Sequence, residues 1–293
     1  MAQVASANTE AVEAWNGVLF DRFSRFRHIL TTGLGVHSDE ALRSDPPNPG
    51  DRVLDLGCGF GDTTQQLAAI VGTDGEATGI DASDRFIEAA ETEAEQSGVA
   101  NVRFVVGDLE VAELEQQQFD YAFARMGTMF FANPVAALRN VRRAMVPGGR
   151  LVNVVWRQKI DNPWLYQAEQ VVERFVAEDE DSDEPTCGPG PFSMANADTT
   201  SHILLNAGFD EIALRRCDRP YRMGADIDEA VACVMAIGPA GEVLRLAGDE
   251  AKQLEPQIVS ALQDGMAEFV RPDGVWGTMS TWIITATVPE SSG

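Results

Sequence analysis

Basic residues are scarce in this chain: 22 Lys and Arg stand against 46 Asp and Glu, a formal net charge of −24. A surface of that sign repels phosphate backbones and anionic headgroups, so neither nucleic acid nor a membrane is an expected partner. Cysteine is also sparse. Cys58, Cys187, Cys217 and Cys233 form no C-x-x-C pair and lie far from the histidines, so no metal site is expected. Without a disulfide-rich pattern, reduced thiols and a cytoplasmic location are the expectation. The first residues, MAQVASANTEAVEAWNG, have neither a basic start nor a long apolar run and predict no secretory signal. The longest apolar stretches, such as VACVMAI, fall well short of a membrane span.

What is present is enough apolar material, 44% of residues, to build a sizeable core. Residues 8–44 carry Val12, Trp15, Leu19, Phe23, Phe26 and Leu30 at spacings of three and four, which predicts amphipathic helix. RSDPPNPGD then breaks the helix and acts as a linker. From Arg52 onward, short apolar runs alternate with helical segments. RVLDLG, EATGID, NVRFVVGD, FDYAFARM and RLVNVVWR read as strands, with crossover helices between them. That alternation predicts a doubly wound, mostly parallel α/β sheet covered on both faces. Beyond Arg157 come a helix in NPWLYQAEQVVERFVAE and an acidic loop at 178–184. A helix-then-strand follows in DTTSHILLNAGFDEIALRRC, then a mainly helical stretch over 226–270 and a final strand in WGTMSTWIITATV.

The densest signal is VLDLGCGFGD, where Gly57, Gly59 and Gly61 follow the first strand. Glycine tolerates left-handed backbone and lets a ligand approach the main chain, and ligands of open α/β sheets bind at this carboxyl edge. The dinucleotide fingerprint G-x-G-x-x-G needs a third glycine where Asp62 stands, which demotes NAD without removing it. Asp81 ends the second strand, 24 residues beyond Gly57, where a carboxylate can accept from ribose hydroxyls. Asp108 ends the third strand, where it can take an adenine amino group.

With VLDLGCGFGDTT, GIDAS, VVGDL and FANPVAALRNVRRAMVPGGRLV in place, the sequence resembles a class I S-adenosylmethionine-dependent methyltransferase of the bacterial small-molecule type. The resemblance implies a Rossmann-like, mostly parallel seven-stranded sheet with a helical N-terminal lid and a helical insertion before the last strand. The corresponding divisions are a lid over 1–45, a cofactor-binding core over 46–158, and a part over 159–293 that completes the sheet. It implies S-adenosyl-L-methionine as cofactor and S-adenosyl-L-homocysteine as product. Asp55, Gly57 and Gly59 would then face the methionine moiety, Gly61 would belong to the same cofactor-binding loop, and Thr63 would meet the cofactor's carboxylate. Asp81 and Ala82 would hold the ribose, Asp108 and Leu109 the adenine, and Arg125 and Met126 would pass the methionine moiety.

Methyl transfer from a sulfonium needs alignment and exclusion of water more than a fixed catalytic motif. No base is therefore demanded, and His28, in the N-terminal helical region, is the candidate if one is used. Trp15, Phe20, Phe130 and Trp156 are candidates for the pocket of a small organic acceptor, although ordinary core packing is the plainer account of any one of them taken singly. RMGTMFFANPV lacks the N/D-P-P-Y/F pattern of enzymes that methylate nucleobase amines. Two other readings remain: a protein that binds the cofactor without turnover, and an NAD-dependent oxidoreductase. The sequence carries no signal of the acceptor's identity or of oligomeric state.

Overall fold

A computed structural model describes residues 3–176 and 189–290. The acidic run at 178–184 and Cys187 lie outside the described residues. The strands are β1 (Arg52–Leu56), β2 (Glu76–Asp81), β3 (Val102–Val106), β4 (Phe119–Arg125), β5 (Met145–Trp156), β6 (Asp210–Gly224), β7 (Val270–Arg271) and β8 (Gly274–Thr287). They form one sheet in the order β3-β2-β1-β4-β5-β8-β6, with β7 pairing on β8. Strands β1 to β5 run parallel, and β8 runs antiparallel between β5 and β6. The expected mostly parallel sheet is thus present; it has eight strands against the seven expected, the extra one being the two-residue β7. The central strands are apolar without alternation, as strands covered on both faces must be: Val53, Leu54, Leu56, Phe123, Val152 and Val154 are fully buried.

Three helices precede the sheet: α1 (Thr9–Asn16), α2 (Val18–Arg25) and α3 (Arg27–Ser44). Breaks fall at Gly17, with φ −111° and ψ −116°, and at Phe26, with φ −102° and ψ 15°. The core helices are α4 (Asp62–Val71), α5 (Asp84–Ser97) and α6 (Pro134–Ala144). Their starts follow the capping rules: Ser83 caps α5 by accepting from Phe86 N–H, and Asn133 with Pro134 opens α6. The remainder comprises α7 (Pro163–Val172), α8 (Ala197–Ala207), α9 (Ile227–Ala236), α10 (Pro239–Leu246) and α11 (Gly248–Met266). The helix expected over NPWLYQAEQVVERFVAE stops at Val172. Helices α9 to α11 are the helical insertion before the last strand. No helix among the described residues is long and apolar enough to cross a membrane.

One contact fixes how α3 lies on the sheet. Gly33 sits mid-helix, where glycine costs about 1 kcal/mol against alanine. A Cβ there would stand 1.9 Å from Cε2 of Tyr221 on β6, so only glycine admits the ring. Tyr221 in turn stacks on Trp164 of α7 at 4.9 Å, and a Cβ on Gly277 of β8 would stand 2.6 Å from that indole. Two glycines and two rings thus bind α3, α7 and the sheet into one packed stack.

Candidate functional site

The loop between β1 and α4 turns through three left-handed glycines, with φ of +64° at Gly57, +54° at Gly59 and +76° at Gly61. They serve different ends. A Cβ on Gly57 would lie 3.0 Å from the Cα of Gly127 in the loop after β4, and one on Gly61 would lie 2.8 Å from Ala90 and Phe104. A Cβ on Gly59 would meet only Phe86 Cδ1, at 4.0 Å. Gly57 and Gly61 are therefore bare to let protein pack, whereas Gly59 presents bare main chain to open space. That is the feature a ligand needs if it is to lie against the backbone.

Asp81, at the end of β2, reaches this loop. Its Oδ2 accepts from Gly59 N–H at 3.0 Å and its Oδ1 from Ser83 N–H at 2.9 Å. Burial raises its pKa, opposed by the main-chain N–H groups of Ser83, Gly59 and Ala82. Asp108, after β3, is buried. Its Oδ2 accepts from Ala5 N–H and from Asn8 Nδ2, each at 2.9 Å, and its Oδ1 from Glu110 N–H at 2.9 Å. The extreme N-terminal segment is thus tied to the carboxylate at the third strand end.

These groups open on one cavity of about 740 Å³ along the carboxyl edge of the sheet. Of the residues singled out from the sequence, Gly57, Gly59, Thr63, Asp81, Ala82 and Asp108 line it. So do Leu109, Arg125 and Met126. Arg125 is also ion-paired, with Nη2 2.8 Å from Asp62 Oδ2. Met126 holds φ +61°, a left-handed conformation that is strained for a side-chain-bearing residue, and its N–H is bonded to Val154 O at 2.9 Å. Trp15, Phe130 and Trp156 line the cavity as well, Trp15 meeting Phe130 edge-on at 5.0 Å.

Four expectations change. Asp55 lies behind the wall, 1% exposed, and accepts from the hydroxyls of Thr63 and Thr64 at 2.7 Å each. Burial raises its pKa to about 6, opposed by those two hydroxyls and by Arg125. Its position suits pinning the first turn of α4, and it takes up the Thr63 hydroxyl expected to meet a ligand carboxylate. Gly61 is turned to α5 and β3, as above. Phe20 packs outside the cavity on Phe86 at 4.9 Å, beneath the Arg85 guanidinium at 4.0 Å. His28 is exposed, with Nε2 2.9 Å from Glu229 on the surface, and none of the three histidines lines the cavity.

Sequence reasoning missed several residues that line the cavity. Arg22 and Arg27 of the N-terminal helices, Lys159, Glu169, Tyr221 and Glu242 all line the cavity. Lys159 Nζ lies 2.6 Å from Glu169 Oε1. Single charged residues on amphipathic helices give no sign of facing a cavity, so no local signal marks them. No group of metal-ligating side chains occurs among the described residues.

Residues 47–199 match a family model described as a methyltransferase domain. The ubiquinone/menaquinone biosynthesis C-methyltransferase UbiE of Ectopseudomonas mendocina is 37% identical over 118 residues, covering 40% of this chain and 46% of that protein. Demethylmenaquinone methyltransferase of Staphylococcus aureus is 35% identical over 147 residues, covering 50% of this chain and 60% of that protein. The chain spans about half the length of these curated relatives. The crystal structure of the YcgJ protein from Bacillus subtilis superposes with a TM-score of 0.55 at 17% identity, covering 88% of this chain and 98% of that one. At that identity the likeness speaks for the fold.

Proposed function

Since the chain belongs to the methyltransferase-domain family, with a class I S-adenosylmethionine-dependent architecture, we propose that it transfers a methyl group to a C, O or N atom of a small organic metabolite. The observation that carries the reading is the convergence of Gly59, Asp81 and Asp108 on one cavity. The donor set suits S-adenosylmethionine. Gly59 offers bare main chain, Asp81 retains acceptor capacity for a ribose hydroxyl, and Asp108 can accept from an exocyclic amine. Carbon is the favoured acceptor atom, because the UbiE relative is named as a C-methyltransferase.

When bound, S-adenosylmethionine supplies a methyl group already activated by its sulfonium, so the protein needs no nucleophile of its own. The side chains then align and desolvate. Asp81 fixes the ribose, Leu109 and Asp108 border the adenine, and Trp15 with Phe130 walls off water. A cavity of about 740 Å³ lies within the roughly 300–1,000 Å³ range of ligand sites, and we assign its end beside α7 and α9 to α10 to the acceptor. Residues 1–45 act as the lid over both, and the bonds of Ala5 and Asn8 to Asp108 tie its beginning to the adenine end.

Calorimetry with S-adenosylhomocysteine and with NAD tests the cofactor, and transfer of isotopic methyl into a small-molecule extract tests turnover. Binding of the first nucleoside, none of the second, and label in an extractable metabolite are the expected results. Binding without label transfer favours the non-catalytic reading, and no binding of S-adenosylhomocysteine refutes the proposal.

A further inference from the structure

The cations of the cavity divide into two kinds. Arg27 pairs with Glu93, Arg125 with Asp62 at 2.8 Å, and Lys159 with Glu169 at 2.6 Å. Arg22, on α2, lines the same cavity and has no carboxylate partner among the described residues. Its Nη1 donates to the main-chain oxygens of Ala236 at 3.2 Å and Gly241 at 3.5 Å, which holds the guanidinium against α9 and α10. The Nε/Nη2 edge, the one that grips a carboxylate side-on, is left without a protein acceptor among the described residues. Glu242 also lines the cavity, but Arg245 holds both of its oxygens, at 3.0 and 2.9 Å. Burial, then the like charge of Arg245, lower the pKa of Arg22, and only Glu242 opposes them.

A partly desolvated guanidinium with no carboxylate in hydrogen-bond contact is costly, and this chain has 46 acidic residues from which to supply one. Leu19, Phe23, Val234 and Ile237, chain neighbours of Arg22 and of its acceptor Ala236, also line the cavity. Arg27 sits instead over Phe60 of the glycine loop, its guanidinium carbon 4.2 Å from the ring centroid, so the two arginines serve opposite ends. We propose that Arg22 binds a carboxylate carried by the methyl acceptor, which makes that acceptor an apolar organic acid. The proposal rests on the methyl-transfer reading above.

The test is calorimetry on the full chain saturated with S-adenosylhomocysteine, using 1-naphthoate and 1-naphthamide, which differ chiefly in charge. The wild type is expected to bind the acid about tenfold more tightly than the amide, the scale of a charge-assisted bidentate contact. Arg22→Gln is expected to remove that preference while leaving the affinities for 1-naphthamide and S-adenosylhomocysteine unchanged. Arg22→Lys keeps the charge without the fork and should retain part of the preference; it carries the test if the glutamine variant does not fold. Equal binding of the two probes refutes the proposal, as does a preference that survives in Arg22→Gln. Failure of both probes to bind at millimolar concentration, with S-adenosylhomocysteine bound, refutes it too. Loss of S-adenosylhomocysteine from Arg22→Gln would assign Arg22 to the cofactor's own carboxylate and overturn it. If the wild type fails to bind S-adenosylhomocysteine, the methyl-transfer reading itself falls.

Discussion

Removing the Asp81 carboxylate should separate cofactor binding from folding. In the structure each of its oxygens accepts one main-chain N–H, from Gly59 at 3.0 Å and Ser83 at 2.9 Å. An ionised carboxylate offers about four lone-pair sites, so capacity remains for a hydroxyl of a bound ribose. Hydrogen bonds to a charged group are worth about 1.5–3 kcal/mol. Asp81→Ala should therefore weaken S-adenosylhomocysteine roughly ten- to hundredfold in calorimetry. Asp81→Asn is the sharper variant. It keeps the shape, but its amide nitrogen must face either the Gly59 or the Ser83 N–H, donor against donor, so it should lose as much affinity as alanine does. The variant folds if its thermal midpoint stays within a few degrees of wild type, because burial already opposes the charge it removes. Wild-type affinity in a folded Asp81→Asn would mean that the ribose is held elsewhere, and the site assignment would fall.

Other outcomes follow from the same geometry. Gly59→Ala should fold yet bind S-adenosylhomocysteine weakly, because its Cβ enters the open space a ligand needs and φ is +54°; unchanged affinity would contradict this. His28→Ala should leave turnover unchanged, since the ring is bound to Glu229 at the surface, and a tenfold or greater loss would return it to the mechanism. His37 is fully buried, with Nδ1 2.8 Å from Thr281 Oγ1 and Nε2 unpartnered, and burial followed by Arg219 lowers its pKa from 6.5 to about 4. Its neutral form is the folded form, so its contribution is full above pH 6.5 and falls as pH drops towards 4, by on the order of 3 kcal/mol. Asp55 works in the opposite sense: with a folded pKa of about 6 against 3.8, it favours the fold as pH falls through that range. The stability difference between wild type and His37→Asn, measured by urea at pH 7 and pH 4, isolates the histidine and should shrink towards the lower pH. Trypsin should cut residues 1–45 more slowly when S-adenosylhomocysteine is bound; equal rates would count against a lid.

Local chemistry made the fold and the glycine-loop side of the cavity readable. Glycines needing left-handed backbone and acidic residues at strand ends sit within a few residues of the features they serve. The errors came where the deciding fact is distant. Phe20 and Trp15 look alike in the apolar spacing, yet they fall on separate helices either side of Gly17, and of the two rings only Trp15 lines the cavity. Asp55 reads as a ligand-facing carboxylate until Thr63 and Thr64 are seen to take it. Arg22 is unreadable because its partners, Ala236 and Gly241, lie more than two hundred residues away. Even the division of 8–44 into three helices depends on a backbone break at Gly17 and a non-helical ψ at Phe26, where the apolar spacing continues undisturbed.

The pair formed by Gly33 and Tyr221 also constrains how such a protein can diverge. Neither position is free to drift alone, because any larger residue at 33 collides with the ring and any smaller residue at 221 leaves a hole beside Trp164. Descendants that keep this seating should therefore exchange the two together, and a lineage that enlarges 33 while retaining tyrosine must have moved α3 away from β6.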